Sequence, residues 1–282
     1  MPWPVLVPTL DHVVVNVRDR LDEAADRYRC LGFTLTPRGH HTLGSMNHLA
    51  IFGTDYLELI AAPPGETRRP EILGSPEGLN GLVFGSEDAA ATHAALTEAG
   101  VPAEPHEQFS RPVELPDGPE DATFRTVRLT PGTVPAGRLY FCQHLTRHLV
   151  WRDEWRHHPN GVVGVAGAVI ASTQPETLAA LFGRMFGQET VRPLAGGFRL
   201  AVGLTHFDIL TPAAVGRTLG DAAPDSGGRD SYMAGLLLRT LSLDTAFLAL
   251  GAGKIAGIRR EADRIVVPAP EAFGATLCFL ER

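Results

Sequence analysis

The feature that most constrains this chain is that it repeats itself. Apolar, strand-like runs begin near residues 12, 81, 167 and 235, and a helical stretch and further short strands follow each one. A self-similar period of about seventy residues signals one supersecondary unit used four times. The first unit shows the pattern. "DHVVVNV" is a β-branched strand, and in "RLDEAADRYRCLG" the residues Leu21, Ala24, Ala25, Tyr28 and Leu31 recur at helical spacing. Asp19 is the expected N-cap of that helix and Gly32 its expected end. "FTLTP", "NHLAIFG" and "DYLELIAAP" then predict three strands. The unit is strand, helix, three strands.

The second unit opens with "LNGLVFGS" and "EDAAATHAALTEAG" and continues through strands in "RPVEL", "ATFRTVRLTP" and "GRLYFCQHLT". The third has "GVVGVAGAVIAS" and "QPETLAALFGRMFG", with Pro175 in the first turn and Gly187 at the helix end, then "FRLAVGL" and "THFDILTP". The fourth runs "YMAGLLLRT", "LDTAFLALGAG" (capped by Ser242), "IAGIRRE", "RIVVPAP" and "ATLCFLE". The units span about 8–63, 78–147, 161–212 and 231–282. A longer gap holds "HLVWRDEWRHHPNG" and divides the chain into two tandem domains, 1–150 and 151–282. Trp151 and Trp155 are expected to lock this crossover by packing, and "RHHP" to be a solvated turn. The segment "PAAVGRTLGDAAPDSGGRD" is expected to be a mobile loop. The fold class is α+β, built from paired βαβββ modules.

Composition removes several function classes. The 282 residues carry a formal net charge of -7 with no basic stripe, which argues against a nucleic-acid partner. No stretch approaches the ~18 apolar residues of a membrane span. The first ten residues lack the basic start of a signal peptide, so the expectation is a cytoplasmic protein without a membrane partner. Cys30, Cys142 and Cys278 are far apart and form no CxxC pair. That argues against a disulfide scaffold or a structural zinc site and predicts small buried thiols. Walker, GxGxxG, HExxH and GxSxG motifs are absent.

The stretches "LDHVVVNV", "GSMNHLAIFGTDYLELIA", "FRTVRL" and "YFCQHLTRHLVWRDEW" resemble the glyoxalase-like domain family. That family lies within the vicinal oxygen chelate superfamily of glyoxalases, bleomycin-resistance proteins and extradiol dioxygenases. The quoted motifs cover most of the first half. In the second half the likeness is one of periodicity. The resemblance implies that paired modules close into curved, cup-like mixed sheets with helices on the outer face. It also implies a divalent metal on the concave face, held by first and last strands, that binds vicinal oxygens of a substrate or stabilises an enediolate.

Strand alternation says which residues can serve that role. In "DYLELIA", Leu57, Leu59 and Ala61 suit the helix side, so Glu58 faces the cup with Tyr56 and Ile60. A carboxylate in so apolar a strand needs a metal or a cationic partner. Glu58 is therefore either a ligand, a general base, or half of a salt bridge. His12 falls on the face of Leu10, Val14 and Asn16, as a ligand or as a satisfied core histidine. In "RLYFCQHLT", Leu139 and Phe141 on the helix side would take Gln143 with them and leave Cys142 and His144 facing the cup. A bulge would reverse that choice. His12, Glu58 and His144, or Gln143 in its place, make a set suited to Fe, Mn, Zn or Ni. Gly81 stands where the second unit would supply a histidine, which weighs against a full set. His48 is a candidate substrate contact or a polar strand residue, and Asn47 is expected to be structural. Arg111 and Arg125 match an anionic substrate, or one of them pairs with Glu58. In the second half Gly167 and Gly235 replace the histidine and Asp208 replaces Glu58, which predicts a degenerate copy.

Two functions follow as expectations. One is a metal-dependent small-molecule enzyme, a lyase, isomerase or dioxygenase. The other is a metal-free small-molecule binding or resistance protein of the same fold. The partner in either case is a small molecule, with a homodimer as the protein partner the cup suggests.

Overall fold

Burial alternates along the chain as the repeat requires, and the computed structural model describes residues 6, 9–115 and 117–281. The expected start of the first unit at residue 8 and most of the first ten residues lie outside this range.

The first module is β1 (Leu10–Asn16), α1 (Leu21–Cys30), β2 (Gly39–His40), β3 (Met46–Ile51) and β4 (Tyr56–Ala61). A one-turn helix, α2 (Pro70–Gly74), leads to the second module: β5 (Gly78–Gly85), α3 (Ala89–Glu98), β6 (Glu107–Val113), β7 (Glu120–Arg128) and β8 (Arg138–His144). The third is β9 (Val162–Ser172), α4 (Pro175–Phe186), β10 (Val191–Leu194), β11 (Gly197–Val202) and β12 (Thr205–Leu210). After α5 (Pro212–Leu219) the fourth comprises β13 (Ser231–Thr240), α6 (Leu243–Ala252), β14 (Arg259–Arg260), β15 (Arg264–Val267) and β16 (Thr276–Glu281).

These strands form two eight-stranded sheets, ordered β2-β3-β4-β1-β5-β8-β7-β6 and β10-β11-β12-β9-β13-β16-β15-β14. In each module the first strand runs parallel to the last, and modules join antiparallel through their first strands. The result is two tandem cup-like domains. Their helix-side faces share one apolar core, in which Phe84 meets Phe186 at 4.7 Å between ring centres. No helix among the described residues is long and apolar enough to cross a membrane.

Local expectations differ from the structure at a few places. "FTLTP" is irregular, and the second strand is the two-residue β2. Asp19 does not cap α1, whose cap is Arg20 without a side-chain bond. Cys30 is exposed rather than buried, because it ends α1 off the stripe formed by Leu21, Ala24, Ala25 and Tyr28. His158 of the expected solvated turn is buried between the domains. It accepts from the Thr34 N–H and donates to the Ile51 carbonyl at 2.8 Å. The expected mobile loop after residue 211 begins with α5, which Thr211 caps.

That helix decides which cup is open. Ala214, Val215 and Leu219 of α5 sit against Val169, Ala171, Ala234 and Cys278 and fill the second cup with apolar side chains. The corresponding α2 is one turn long, held by the Asn16 amide donating to the carbonyls of Ile72, Ser75 and Pro76. It leaves a cavity of about 630 Å³ over the first sheet.

Candidate functional site

The cavity is built around a bulge in β1. Leu10 pairs with Phe84 and His12 with Val83, so Asp11 is an extra residue on its strand. Leu10 and Val13 both pack on the helix side, and Asp11 and His12 both turn the other way. A bulge of this kind re-aims side chains. It corrects the expectation that Leu10 shares the face of His12.

Asp11 fixes the imidazole. Nδ1 of His12 lies 2.6 Å from Asp11 Oδ1, and Nε2 of His144 lies 3.0 Å from the same oxygen. Burial pushes the Asp11 carboxyl up, but the charge of His144 and hydrogen bonds from both histidines outweigh it and keep Asp11 ionised. An ionised carboxylate only accepts, so Nδ1 of His12 carries a proton, and Nε2 is the ring atom turned to the cavity. The ring is held flat against Tyr56, 4.3 Å between centres.

Around Nε2 stand the Tyr140 hydroxyl at 3.2 Å and Glu58 Oε2 at 3.7 Å. Glu58 is opposite Val14 in β4, and Tyr140 is opposite Val83 in β8. By register, Tyr140 therefore occupies in the second module the place of Glu58 in the first. Asn47 donates to Glu58 Oε1 at 2.7 Å and lies 3.3 Å from His41 Nε2. Burial raises the Glu58 carboxyl, but His12, His41 and the Asn47 amide together hold it below its ordinary value. Burial lowers His41 to about 4 and pushes the Tyr140 hydroxyl up, so both stay neutral.

Gly81 takes the place of a second-module histidine. A Cβ there would meet Val14 Cβ at 2.9 Å. The cup thus brings together one imidazole nitrogen, one carboxylate and one phenol. A divalent cation fits this donor set: an imidazole whose other nitrogen is held by a carboxylate is a common arrangement of a metal ligand, and the Glu58 carboxylate stands beside it. Behind His12 a second group, Asp11, Cys142 and His144, brings one ligand atom each to within 4.8 Å. There Cys142 remains a thiol, because burial and the charges of Asp11 and Glu58 push its pKa well up.

The other predicted residues are distributed as follows. His144 faces the concave side but is sealed from the cavity by Phe124 and Trp151 and bonded to Asp11. Gln143 faces the helices, where it donates to the Glu87 carbonyl and accepts from the Ala89 N–H at the start of α3. It takes no part in the cup. His48 is on the helix side and donates to the Thr36 carbonyl at 2.8 Å. Arg125 lies away from the cavity, donating to Gln108 at 3.0 Å. Arg111 lines the cavity, 3 % exposed, and makes no ion pair with Glu58. Asp11, His41 and Tyr140 were not anticipated; Tyr56 was expected to face the cup without a role, and Asn47 to be structural. Asn47 and Tyr140 had a signal: Leu49 pairs with Glu58, so Asn47 and Leu49 share its face, and Tyr140 shares the face of Cys142.

In the second domain, Asp208 is neutralised by Arg199 through two bonds of 2.6 and 2.8 Å. A side chain at Gly167 would strike the His206 carbonyl.

Residues 10–186 match the Glyoxalase-like domain family. No curated protein matches the chain. Among solved structures, a hypothetical protein from Staphylococcus aureus superposes with a TM-score of 0.68 at 12% identity, covering 98% of this chain and 100% of that one. A mutant of 4-hydroxymandelate synthase from Streptomyces coelicolor gives 0.58 at 14% identity, covering 98% and 93%. A xylose isomerase-like TIM barrel/4-hydroxyphenylpyruvate dioxygenase fusion protein gives 0.59 at 13% identity, covering 100% of this chain and 50% of that one. At these identities the likeness is one of fold. With its four βαβββ modules and a family match over more than half its length, the chain belongs to the glyoxalase-like domain family.

Proposed function

We propose that the first cup is the active site of a small-molecule enzyme, with His12, Glu58 and Tyr140 as its reactive groups. One observation carries this reading: the His12 imidazole, oriented by Asp11, places Nε2 3.7 Å from the buried Glu58 carboxylate at the wall of the cavity. A buried acid and base facing one cavity are costly to a fold and useful to a reaction.

His12 and Glu58 would hold a divalent metal, with the Tyr140 hydroxyl beside them. When bound, the ion would supply Lewis acidity toward substrate oxygens. Glu58 is placed to take a proton from a carbon or hydroxyl next to a substrate carbonyl, and Tyr140, neutral at physiological pH, to donate a hydrogen bond to the oxygen that gains charge. Asp11 and Tyr56 keep the imidazole fixed while this happens. The neighbours named for a synthase and a dioxygenase support an enzyme rather than a carrier on this fold, and a lyase, isomerase or dioxygenase reaction suits this set of groups.

A metal-free reading has one observation in its favour. Gly81, walled by Val14, leaves the second module without its histidine. The same cup would then bind a small molecule, or act on it by acid–base chemistry alone.

Metal analysis separates the two. Protein purified without chelator is expected to contain about one divalent ion per chain, and Glu58→Gln to lose it. No metal in either protein would overturn the metal-dependent reading and leave the metal-free one.

A further inference from the structure

We infer that the ligand of the first cup is a monocarboxylate with a compact apolar body, and that Arg111 receives its carboxylate. The inference deepens the functional reading above and rests on the same cavity being the working site.

Arg111 projects from β6, 3 % exposed, into the cavity. Its Nη2 is buried without a hydrogen-bond partner, and no acid lies within ion-pair distance among the described residues. A buried guanidinium left in this state is strongly unfavourable, and proteins tolerate it where a ligand supplies the missing anion. Arg138, half-buried on β8, repeats the pattern. Its Nε donates to Asn80 at 3.1 Å, while its Nη2 is also buried without a partner.

The charge balance fixes the size of the missing anion. The other lining cations are matched: Arg68 by Glu66, Arg69 by Glu71, and Arg128 by Glu107. Arg229 and Glu104, the remaining charged lining residues, are both exposed to solvent and are left out of the count. Asp11 is hydrogen-bonded by two imidazoles and matched by Arg147 at 3.9 Å. His41 is neutral. What remains among the side chains, with no metal counted, is Arg111 and Arg138 against Glu58, one unmatched positive charge. A single carboxylate satisfies that count, and its two oxygens match the guanidinium fork. A phosphate dianion would exceed it and repel Glu58. Leu49, Ile60, Phe109 and Phe124 line the same space, so the remainder of the ligand is apolar.

The probe is benzoate, with benzamide as its neutral isostere and inorganic phosphate as the competing anion, each titrated by calorimetry. Benzoate is expected to bind the wild type, benzamide at least tenfold more weakly, and phosphate not to displace benzoate at equal concentration. Arg111→Met is expected to lose at least tenfold in benzoate affinity, and, because it removes an unpaired buried charge, to melt at a higher temperature than the wild type without ligand. Arg111→Lys keeps charge without the fork; its affinity is expected between those of the wild type and Arg111→Met, and it carries the test if the methionine variant does not fold. Absence of benzoate binding, equal affinity for benzamide, displacement by phosphate, or full benzoate affinity in both variants would overturn the inference. Glu58→Gln separates it from the metal reading: that variant is expected to lose metal yet still bind benzoate, since the Arg111 fork is left in place.

Discussion

Asp11 and His12 are neighbours in the chain, yet their side chains are hydrogen-bonded at 2.6 Å on one face of the sheet. A regular strand would send them to opposite faces. The bulge in β1 allows it, and the shared Asp11 oxygen also holds His144. Asp11 thus orients one imidazole at the cavity and anchors another behind it. Asp11→Ala leaves both rings without their acceptor. The expected result is a loss of about 3 kcal/mol in unfolding free energy, within the range for breaking a buried charged network, and a loss of about 10–100-fold in metal affinity or activity. Denaturant unfolding and metal titration of the variant check both. Unchanged stability would show that the paired histidines do not depend on Asp11.

The modules were legible because they rest on periodicity. Continuous apolar first strands, helices with 3.6-residue spacing, and ends at Gly32, Gly100 and Gly187 all carry local signals, and each of those glycines has positive φ. Glu58 was visible because a charge interrupts an alternating strand. Asp11 was not, since a bulge has no signature in the pattern it breaks. Tyr140 and Asn47 were hidden for another reason: phenol and amide are ordinary strand residues until the register brings them beside His12 and Glu58. Alternation put Leu139, Phe141 and Gln143 on one face of β8, as the structure has them, but it could not show that Trp151 folds back over His144. That contact depends on the crossover, where short 3-10 turns at Arg147–Leu149 and Asp153–Trp155 replace any regular repeat.

The domain junction should respond to pH through Asp55. Its carboxylate is 2 % exposed, accepts the Val165 N–H at 2.9 Å and lies 3.8 Å from Arg239. Burial dominates and raises its pKa from 3.8 to about 6. A raised carboxyl favours the folded state fully below pH 3.8 and loses that contribution as pH rises through 6. His41 works in the opposite sense. Its pKa is lowered from 6.5 to about 4, so its contribution is present above 6.5 and is lost as pH falls toward 4. In the wild type the two slopes offset each other. Asp55→Asn keeps the acceptor for Val165 and removes the titration. It is expected to be more stable than the wild type at pH 7.5, by on the order of 2 kcal/mol, and to converge with it near pH 4. Urea midpoints measured at intervals between these values test the convergence, and parallel curves for the two proteins would refute it.

Gly81 and Val14 face each other across β1 and β5, and their contact accounts for the missing histidine of the second module. A Cβ at position 81 would lie 2.9 Å from Val14 Cβ and 3.0 Å from its Cγ2. Both strands are central in the sheet, so neither backbone has room to retreat. Gly81→His in the wild type is therefore expected to cost about 1–3 kcal/mol, the usual penalty of overpacking. Val14→Gly removes the obstructing side chain, at its own cost in lost burial. The informative quantity is the coupling: Gly81→His should cost less in the Val14→Gly background by about 0.5–3 kcal/mol, the range for residues in contact. The double variant also returns an imidazole to the position that the module symmetry pairs with His12. It is expected to hold zinc more tightly than the wild type, read by competition with a colorimetric chelator. Additive stabilities together with unchanged zinc affinity would mean that Val14 is not what keeps this cup at a single cavity-facing histidine in its first strands.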